Sequence, residues 1–236
     1  MSKLKPVYLF AGGRPRNGQN LNPWFQAVFA DSGKKSPSIA YVGAANDDRP
    51  ESFAGMSTNL KEIGAAKVIH VALSPENADI QKAKQVLESS DIIFISGGDV
   101  ERGMRTLAAR NMTDFIGGLY RQGKMFFGIS AGSIMLAKEW VRWRNPDDDD
   151  TSEIFPCLGI APVLCDTHGE ADGWEELQAL LKLEKDNTRG YGIVSSTVIK
   201  VFPDGSVEAL GGEIHQYAKR NGVVERIEDI LPKISP

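Results

Sequence analysis

Residues 124–136 read KMFFGISAGSIML, a sequence that predicts a strand, a tight turn and a helix in succession. A buried strand over residues 125–129 runs into a turn centred on Ser130, and a helix-like segment follows. A Gly-x-Ser-x-Gly turn between a strand and a helix is typical of a nucleophile elbow. A serine on so tight a turn has strained backbone. Side chains two positions before and after it would collide, and Gly128 and Gly132 avoid this because glycine has no side chain. The sequence therefore predicts Ser130 as a nucleophile at the carboxyl end of a sheet.

The same alternation of strand and helix extends to both sides of this turn. Short apolar runs predict parallel strands that are covered on both faces; they span residues 7–11, 39–42, 67–73, 92–96 and 125–129. Amphipathic segments between them predict crossover helices over residues 23–32, 52–63, 77–88 and 100–110. This order favours an α/β fold with a doubly wound, mostly parallel sheet flanked by helices. No composition shift divides residues 1–236, so we expect a single domain.

The last third of the chain has a different pattern. Residues 194–201 and 206–209 are rich in β-formers and flank Pro203-Asp204-Gly205. Proline presets φ and glycine accepts positive φ, so this tripeptide is a turn signal. We expect a C-terminal β-hairpin at one edge of the sheet.

The overall composition excludes several classes of protein. The chain has 236 residues, 42% hydrophobic and 25% charged, and a net charge of −4. So mild a charge gives no reason to expect nucleic acid or an anionic membrane as a partner. No apolar stretch approaches the roughly 20 residues of a membrane helix, and we expect a cytoplasmic protein. Cys157 and Cys165 fit that compartment and match no zinc spacing.

A second glycine cluster, Gly97-Gly98-Asp99, also follows a predicted buried strand and precedes a helix. The carboxyl ends of parallel strands line one crevice, so this loop should face Ser130. The backbone N–H groups of Gly98 and Ala131 are then the expected oxyanion donors. In an alternative interpretation, Asp99 caps the helix and the glycines only turn the chain. The two interpretations are compatible.

A nucleophilic serine needs a base, and the chain has three histidines. His70 lies inside an apolar run and is expected to pack there. His168 follows an apolar segment and precedes a glycine, which favours a presented side chain, and His215 is the next candidate. A metal pair of His168 and Glu170 is an alternative, but no third ligand has suitable spacing.

With these residues identified, most of the chain resembles peptidase family S51, which includes aspartyl dipeptidase (peptidase E) and cyanophycinase. The resemblance implies a fold similar to flavodoxin and to class I glutamine amidotransferases, which carry cysteine where this chain has Ser130. It also implies His168 as the base and hydrolysis of small peptides through an acyl-enzyme, without a cofactor or metal. Four motifs carry it: Gly97-Gly98-Asp99, the turn at 128–132, Leu158-Gly159-Ile160 followed by His168, and Gly190-Tyr191-Gly192-Ile193.

The chain departs from the family pattern near the predicted substrate. Asp99 stands where the family usually has Asn, and its negative charge should repel an acidic substrate side chain or favour a basic one. Trp140, Trp143 and Arg144 follow the elbow helix and are candidates to wall the cleft. Arg144 could hold a carboxylate as a bidentate donor. An aromatic pair packed at a surface helix end is the alternative.

The third member of a catalytic triad is the least determined residue. In the peptidase E pattern an Asp follows the serine, and Asp147 is the candidate here. Glu170 and Asp166 are second choices. The Glu that follows the glycine-rich strand in the cyanophycinase pattern is absent, because Val194 and Ser195 stand there.

Two other functions stay open at this point. The chain could keep the amidotransferase-like fold and bind a small ligand or partner protein without turnover. An α/β-hydrolase esterase shares the elbow, but usually has an early His-Gly loop and a histidine near the C-terminus. A small peptide is the expected partner, and a homodimer is left open.

Overall fold

The computed structural model describes residues 3–13, 20–145 and 147–232. Its described part contains seven α-helices and thirteen strands. The helices are α1 (Asn22–Ser32), α2 (Pro50–Ile63), α3 (Ile80–Ser89), α4 (Val100–Ala109), α5 (Thr113–Arg121), α6 (Ala131–Leu136) and α7 (Glu175–Leu183). The strands are β1 (Val7–Phe10), β2 (Ser38–Val42), β3 (Lys67–Val71), β4 (Ile92–Ile95), β5 (Met125–Ile129), β6 (Glu139–Trp143), β7 (Ser152–Pro156), β8 (Leu164–Thr167), β9 (Arg189–Ile193), β10 (Val198–Val201), β11 (Val207–Leu210), β12 (Ile214–Arg220) and β13 (Val223–Arg226).

The central sheet has seven strands in the order β11-β10-β1-β5-β4-β2-β3. Strands β1 to β5 pair in parallel, and β10 pairs antiparallel with β1. The carboxyl ends of the parallel strands therefore meet along one edge, where α/β proteins place their ligands. The predicted mostly parallel, helix-flanked sheet is confirmed.

Both faces of this sheet are buried, which explains its continuous apolar strands. In β1, Val7 and Leu9 belong to one core cluster, whereas Tyr8 and Phe10 belong to the other. Successive strand side chains point to opposite faces, so a strand covered on both sides must be apolar throughout. On the α1 face, the rings of Phe10 and Phe25 stack with centroids 4.5 Å apart.

The predicted hairpin forms at the edge of the central sheet. Strands β10 and β11 pair antiparallel around the turn that Pro203-Asp204-Gly205 predicts, although β10 begins at Val198 rather than at residue 194. The residues before it turn instead, because Ser196 has φ 65° and its N–H donates to Gly12.

A second sheet, in the order β13-β12-β9-β8, lies beside the first, and β6 and β7 form a separate two-stranded ribbon. The sequence pattern predicts neither of these sheets. Helix α7 and the buried Trp174 pack on the four-stranded sheet, and β8 carries the chain to His168.

Two further findings concern the helices and the thiols. In the described ranges, no helix combines the length and apolarity needed to cross a membrane. Cys157 and Cys165 are both free thiols, and burial raises the pKa of the Cys157 thiol to about 12.

Candidate active site

Ser130 occupies a strained turn between β5 and α6. Its backbone has φ 52° and ψ −127°, a region that residues other than glycine rarely adopt. A Cβ on Gly128 would lie 2.4 Å from the Gly132 carbonyl oxygen, and one on Gly132 would lie 2.1 Å from the Ile95 carbonyl oxygen. Only glycine fits at either position, because both contacts are with backbone. The turn thus has the geometry of a nucleophile elbow.

The hydroxyl of Ser130 is hydrogen-bonded to His168. The distance from Oγ to Nε2 is 2.8 Å. Nε2 accepts this hydrogen bond when the ring carries its proton on Nδ1, which is the tautomer of a general base. His168 follows β8 with φ 48°, and its backbone N–H donates to the Ile193 carbonyl at 3.0 Å. The structure therefore brings together the two residues that the sequence paired from positions 38 apart.

The Gly97-Gly98 loop lies against the nucleophile, as expected. A Cβ on Gly97 would lie 3.2 Å from the Ser130 Cβ, and one on Gly98, whose φ is 149°, would lie 2.1 Å from the Ala45 carbonyl oxygen. Gly98 and Ala131 both line the cleft at Ser130. Ala131 is the first residue of α6, so its N–H has no partner within the helix.

Asp99 also caps a helix. Its Oδ1 accepts from the Arg102 N–H at 2.7 Å, and its own N–H donates to Ala45 at 2.8 Å. Both interpretations of this segment therefore hold together: Asp99 starts α4, and its neighbouring glycines lie at the nucleophile.

The cleft at Ser130 has a volume of about 250 Å³ and a strongly acidic lining. Its carboxylates are Asp99, Asp166, Asp172 and Glu176, and among the described residues no Lys or Arg lines it. Trp140 forms a wall, as the sequence suggested, and its indole N–H donates to Glu176 Oε2 at 2.7 Å.

The two acids at the inner end of the cleft, Asp166 and Glu176, have raised pKa values. Burial raises the pKa of Asp166 to about 7, and the nearby negative charge of Glu176 adds to the effect. Burial also raises the pKa of Glu176, whereas the Trp140 hydrogen bond and His168 oppose the shift. Near neutral pH the Asp166 carboxyl is therefore divided between its protonated and ionised forms.

The structure does not bring Asp147 or Arg144 into this cleft. Asp147 is exposed in the β6–β7 connection, where its N–H donates to Asn145 Oδ1 at 3.3 Å. Arg144 is also exposed, and its Nε donates to Glu153 Oε2 at 2.7 Å. These positions differ from the expectation because the segment after α6 forms a ribbon that carries both residues away. Trp143 likewise lies outside the cleft at Ser130.

Glu170 lies two residues beyond His168 and binds the turn after β9. Its Oε1 accepts from the Ser195 backbone N–H at 2.7 Å, and its Oε2 lies 3.3 Å from the Ser195 hydroxyl. Ser195 is one of the two positions where the cyanophycinase pattern has an acid. Across the described residues, no carboxylate is seen to accept a hydrogen bond from the His168 ring.

The other two histidines have structural partners. His70 stacks on Phe53 with ring centroids 4.6 Å apart, and its Nε2 lies 3.3 Å from Asp48. His215 Nδ1 accepts the indole N–H of Trp174 at 2.9 Å. Neither histidine lines the cleft at Ser130.

Three side chains lie close enough together to suggest a metal site, but their hydrogen bonds occupy the atoms that would bind the ion. Glu213, His215 and Asp229 have ligand atoms within 4.8 Å of one another. Because His215 Nδ1 accepts from Trp174, the proton of the neutral ring sits on Nε2 and blocks that nitrogen as a ligand. Asp229 is also held by the Arg226 guanidinium, with Nε to Oδ1 at 3.0 Å.

Sequence reasoning missed Asp172 and Glu176 as cleft residues. Asp172 lies in the turn before α7, and Glu176 lies in its first turn. No pattern in the sequence marks the pair, because the turn that joins them contains Gly173 and Trp174 with positive φ and is set by the packing of Trp174.

The fold and the Ser130–His168 pair define a class: an α/β protein with a hydrolase-type nucleophile elbow. The particular family follows from the sequence match. Residues 7–208 match the model of Peptidase family S51, and the chain belongs to that family. Family membership supports a peptidase function.

Two solved structures share the fold. The crystal structure of a peptidase from an acI-B1 Actinobacterium is 17% identical, with a TM-score of 0.67, and 97% of each chain is covered. A candidate peptidase E protein from Listeria monocytogenes EGD-e is 13% identical, with a TM-score of 0.62; the match covers 96% of this chain and 100% of that one. Likeness at such low identity extends to the architecture alone.

Proposed function

We propose that this protein is a serine-type peptidase that cleaves small peptides through an acyl-enzyme. The observation that carries the proposal is the 2.8 Å contact between Ser130 Oγ and His168 Nε2 on a strained elbow. Serine residues on ordinary surface turns rarely combine a φ of 52° with a side chain that faces an imidazole. Strain of this kind is characteristic of functional sites.

In the proposed reaction, Ser130 Oγ attacks the peptide carbonyl carbon and His168 Nε2 takes the hydroxyl proton. The N–H groups of Gly98 and Ala131 stabilise the oxyanion of the tetrahedral intermediate. The C–N bond then breaks, and His168 donates its proton to the departing amine. Water attacks the resulting ester with His168 again as base, which releases the acid and restores Ser130.

The dimensions of the cleft favour small substrates. Its volume of about 250 Å³ lies just below the roughly 300–1,000 Å³ of typical ligand pockets. Trp140 closes one side, and Asp166 and Glu176 occupy the inner end. A site of this size suits one or two residues of a peptide, as in a dipeptidase or a cyanophycinase-like enzyme.

Glu170 is the acid that we propose to position the base. It reaches the Ser195 turn rather than the imidazole, so its role is to hold the segment that carries His168. The N–H of His168 donates to Ile193, only two residues before Ser195. The two contacts together tie the histidine turn to the end of β9.

The test combines a covalent probe with a substrate panel. A fluorophosphonate probe should label Ser130, as located by peptide mass spectrometry, and Ser130→Ala should abolish both labelling and cleavage. The panel contains peptides with N-terminal Asp, β-Asp-Arg, and basic and neutral dipeptides. Ser89→Ala, at an exposed helix end, is the matched control and should leave both signals unchanged.

A binding function without turnover is the second candidate, and one observation favours it. In the described part of the chain, no carboxylate is hydrogen-bonded to the His168 ring, and an imidazole without an orienting acid is a weaker base. Folded protein that neither reacts with the probe nor cleaves any panel member would favour this function over the peptidase.

A further inference from the structure

The peptide bond between Gly97 and Gly98 lies beside Ser130 and has no side chain on either flank. A Cβ on Gly97 would lie 3.2 Å from the Ser130 Cβ, and Gly98 lines the cleft. Because both flanking residues are glycine, rotation of this peptide meets little steric resistance from its own chain. The direction of the Gly98 N–H must therefore be set by groups outside the loop.

The carbonyl of the same peptide is held by Asn46. This residue ends a short 3₁₀ turn after β2 (Ala44–Asn46), and its Nδ2 donates to the Gly97 carbonyl oxygen at 3.2 Å. The Ser96 hydroxyl lies 3.4 Å from the same oxygen. In a planar trans peptide the N–H and the C=O point in opposite directions, so these contacts turn the Gly98 N–H away from Asn46. Among the described residues, no backbone carbonyl accepts a hydrogen bond from that N–H.

The side-chain amide of Asn46 is itself held in one orientation. Its Oδ1 accepts from the Arg49 N–H at 3.3 Å, and its Nδ2 lies 3.1 Å from both the Tyr41 hydroxyl and Ser96 Oγ. Tyr41 and Ser96 are buried, so this side of the amide is enclosed. A flipped amide would place its oxygen against the Gly97 carbonyl oxygen, and the contacts therefore assign the donor to the nitrogen.

The next peptide along the loop is held by backbone alone. The Asp99 N–H donates to the Ala45 carbonyl oxygen at 2.8 Å. This hydrogen bond joins the loop to the 3₁₀ turn whatever side chain stands at position 46. Substitution of Asn46 should therefore change the direction of one peptide without detaching the loop.

We infer that Asn46 is a positioning residue, which orients the Gly97–Gly98 peptide so that the Gly98 N–H faces the oxyanion formed at Ser130. The inference rests on the proposed peptidase function and adds the residue that sets one of its two oxyanion donors. Asn46 is half-buried behind the loop and does not line the cleft. It therefore acts on the reaction only through the peptide that it holds.

Two substitutions test this role in different ways. Asn46→Asp keeps the shape and the Oδ1 acceptor, but its second carboxylate oxygen repels the Gly97 carbonyl and would accept from the Gly98 N–H of a reversed peptide. The rate constant kinact for fluorophosphonate labelling should fall roughly a hundredfold, as for loss of one oxyanion donor. Asn46→Ala removes the donor without adding charge. Its kinact should fall roughly tenfold, because only part of the population then has the competent orientation.

The measurement is a fluorophosphonate titration that separates kinact from the binding constant KI of the probe. KI should be unchanged in both variants, because the lining of the cleft is kept. A merely structural role of Asn46 would lower stability and leave kinact of the folded protein unchanged. Asn77→Asp, the same change at an exposed residue before α3, is the matched control and should alter neither constant.

Crystal structures of the wild type and of Asn46→Asp report the peptide directly. The Gly97 carbonyl should face Asn46 in the wild type and point away from position 46 in the variant. An unchanged peptide in Asn46→Asp, or an unchanged kinact, overturns the inference and leaves the peptidase standing if the wild type reacts. A wild type that neither reacts with the probe nor cleaves any peptide contradicts the peptidase, and the catalytic role of Asn46 with it.

Discussion

The two halves of the candidate site come from regions that are built in different ways. Ser130 lies on the central sheet, whose strands are short, apolar runs and whose turn is fixed by Gly128 and Gly132. His168 lies on the smaller sheet, where β9 reads RGYGI and contains two glycines. A Cβ on Gly192 would lie 2.7 Å from the Trp174 ring, so the glycine is there to admit the indole. The nucleophile is therefore positioned by local backbone geometry, and its base by tertiary packing.

The largest expected effect comes from breaking the local geometry of the first region. Gly132→Ala places a Cβ 2.1 Å from the Ile95 carbonyl oxygen, which forces the elbow away from β4. We expect a loss of fluorophosphonate labelling of roughly a hundredfold or more, since small displacements of a reacting group cost that much. The labelling rate of folded protein measures it.

Gly55→Ala is the matched control for this change. An added Cβ at Gly55, on α2, would meet nothing within 4 Å, so labelling should be unchanged. Stability should rise by about 0.5–1 kcal/mol, because alanine loses less conformational freedom in a helix. Full labelling of Gly132→Ala would show that the elbow does not depend on its glycines.

Removing the side chain of Trp174 should destabilise the smaller sheet, which carries His168, while the central sheet, which carries Ser130, stays folded. Trp174 is 2% exposed, and Trp174→Ala removes the largest side chain between α7 and the smaller sheet. We expect a loss of about 3–5 kcal/mol in the free energy of unfolding. Hydrogen exchange should increase in β8, β9 and α7 while the central sheet stays protected. An equal increase of hydrogen exchange in both sheets would mean that they unfold as one unit, and that the base is not positioned by a separately packed region.

The same contrast explains which features the sequence could predict. The parallel strands, four of the five helices between them (α1 to α4) and Ser130 follow from local patterns of apolar residues and glycine, whereas α5 is not predicted. Residues 164–167 gave no comparable strand signal, because β8 contains Cys165 and Asp166 in only four residues. The acids Asp172 and Glu176 could not be placed without knowing how α7 packs. Asp147 was assigned by a sequence pattern alone, and the β6–β7 ribbon holds it elsewhere.

A pH-dependent effect on stability should come from the inner end of the cleft. The folded pKa of Asp166 is about 7, against an ordinary value of 3.8, so folding favours its protonated form. This contribution to stability is complete below about pH 4 and is lost as the pH rises through 7. Asp166→Asn stays neutral throughout, so its Tm relative to wild type should rise between pH 5 and pH 8 by on the order of 5 °C.

Differential scanning fluorimetry at the two pH values measures this shift. Asp79→Asn makes the same substitution at an exposed helix cap, and its Tm difference from wild type should stay constant with pH. A constant difference for Asp166→Asn as well would show that its carboxyl is already ionised in the folded protein at pH 5.

The smallest expected effects are those of substitutions at Glu170 and Asp147. They test how His168 is held in place. If packing rather than a third catalytic acid positions His168, then Glu170→Gln should lower kcat by roughly tenfold with little change in KM, through a slight displacement of the imidazole. Gln keeps an acceptor for the Ser195 N–H, so the fold should survive. Asp147→Asn should change kcat by less than about twofold, as expected of a surface residue away from the reacting atoms. A larger loss in Asp147→Asn than in Glu170→Gln would mean that the β6–β7 ribbon moves to the histidine when substrate binds. In that case both halves of the site would depend on tertiary contacts, and only the elbow would be set by local sequence.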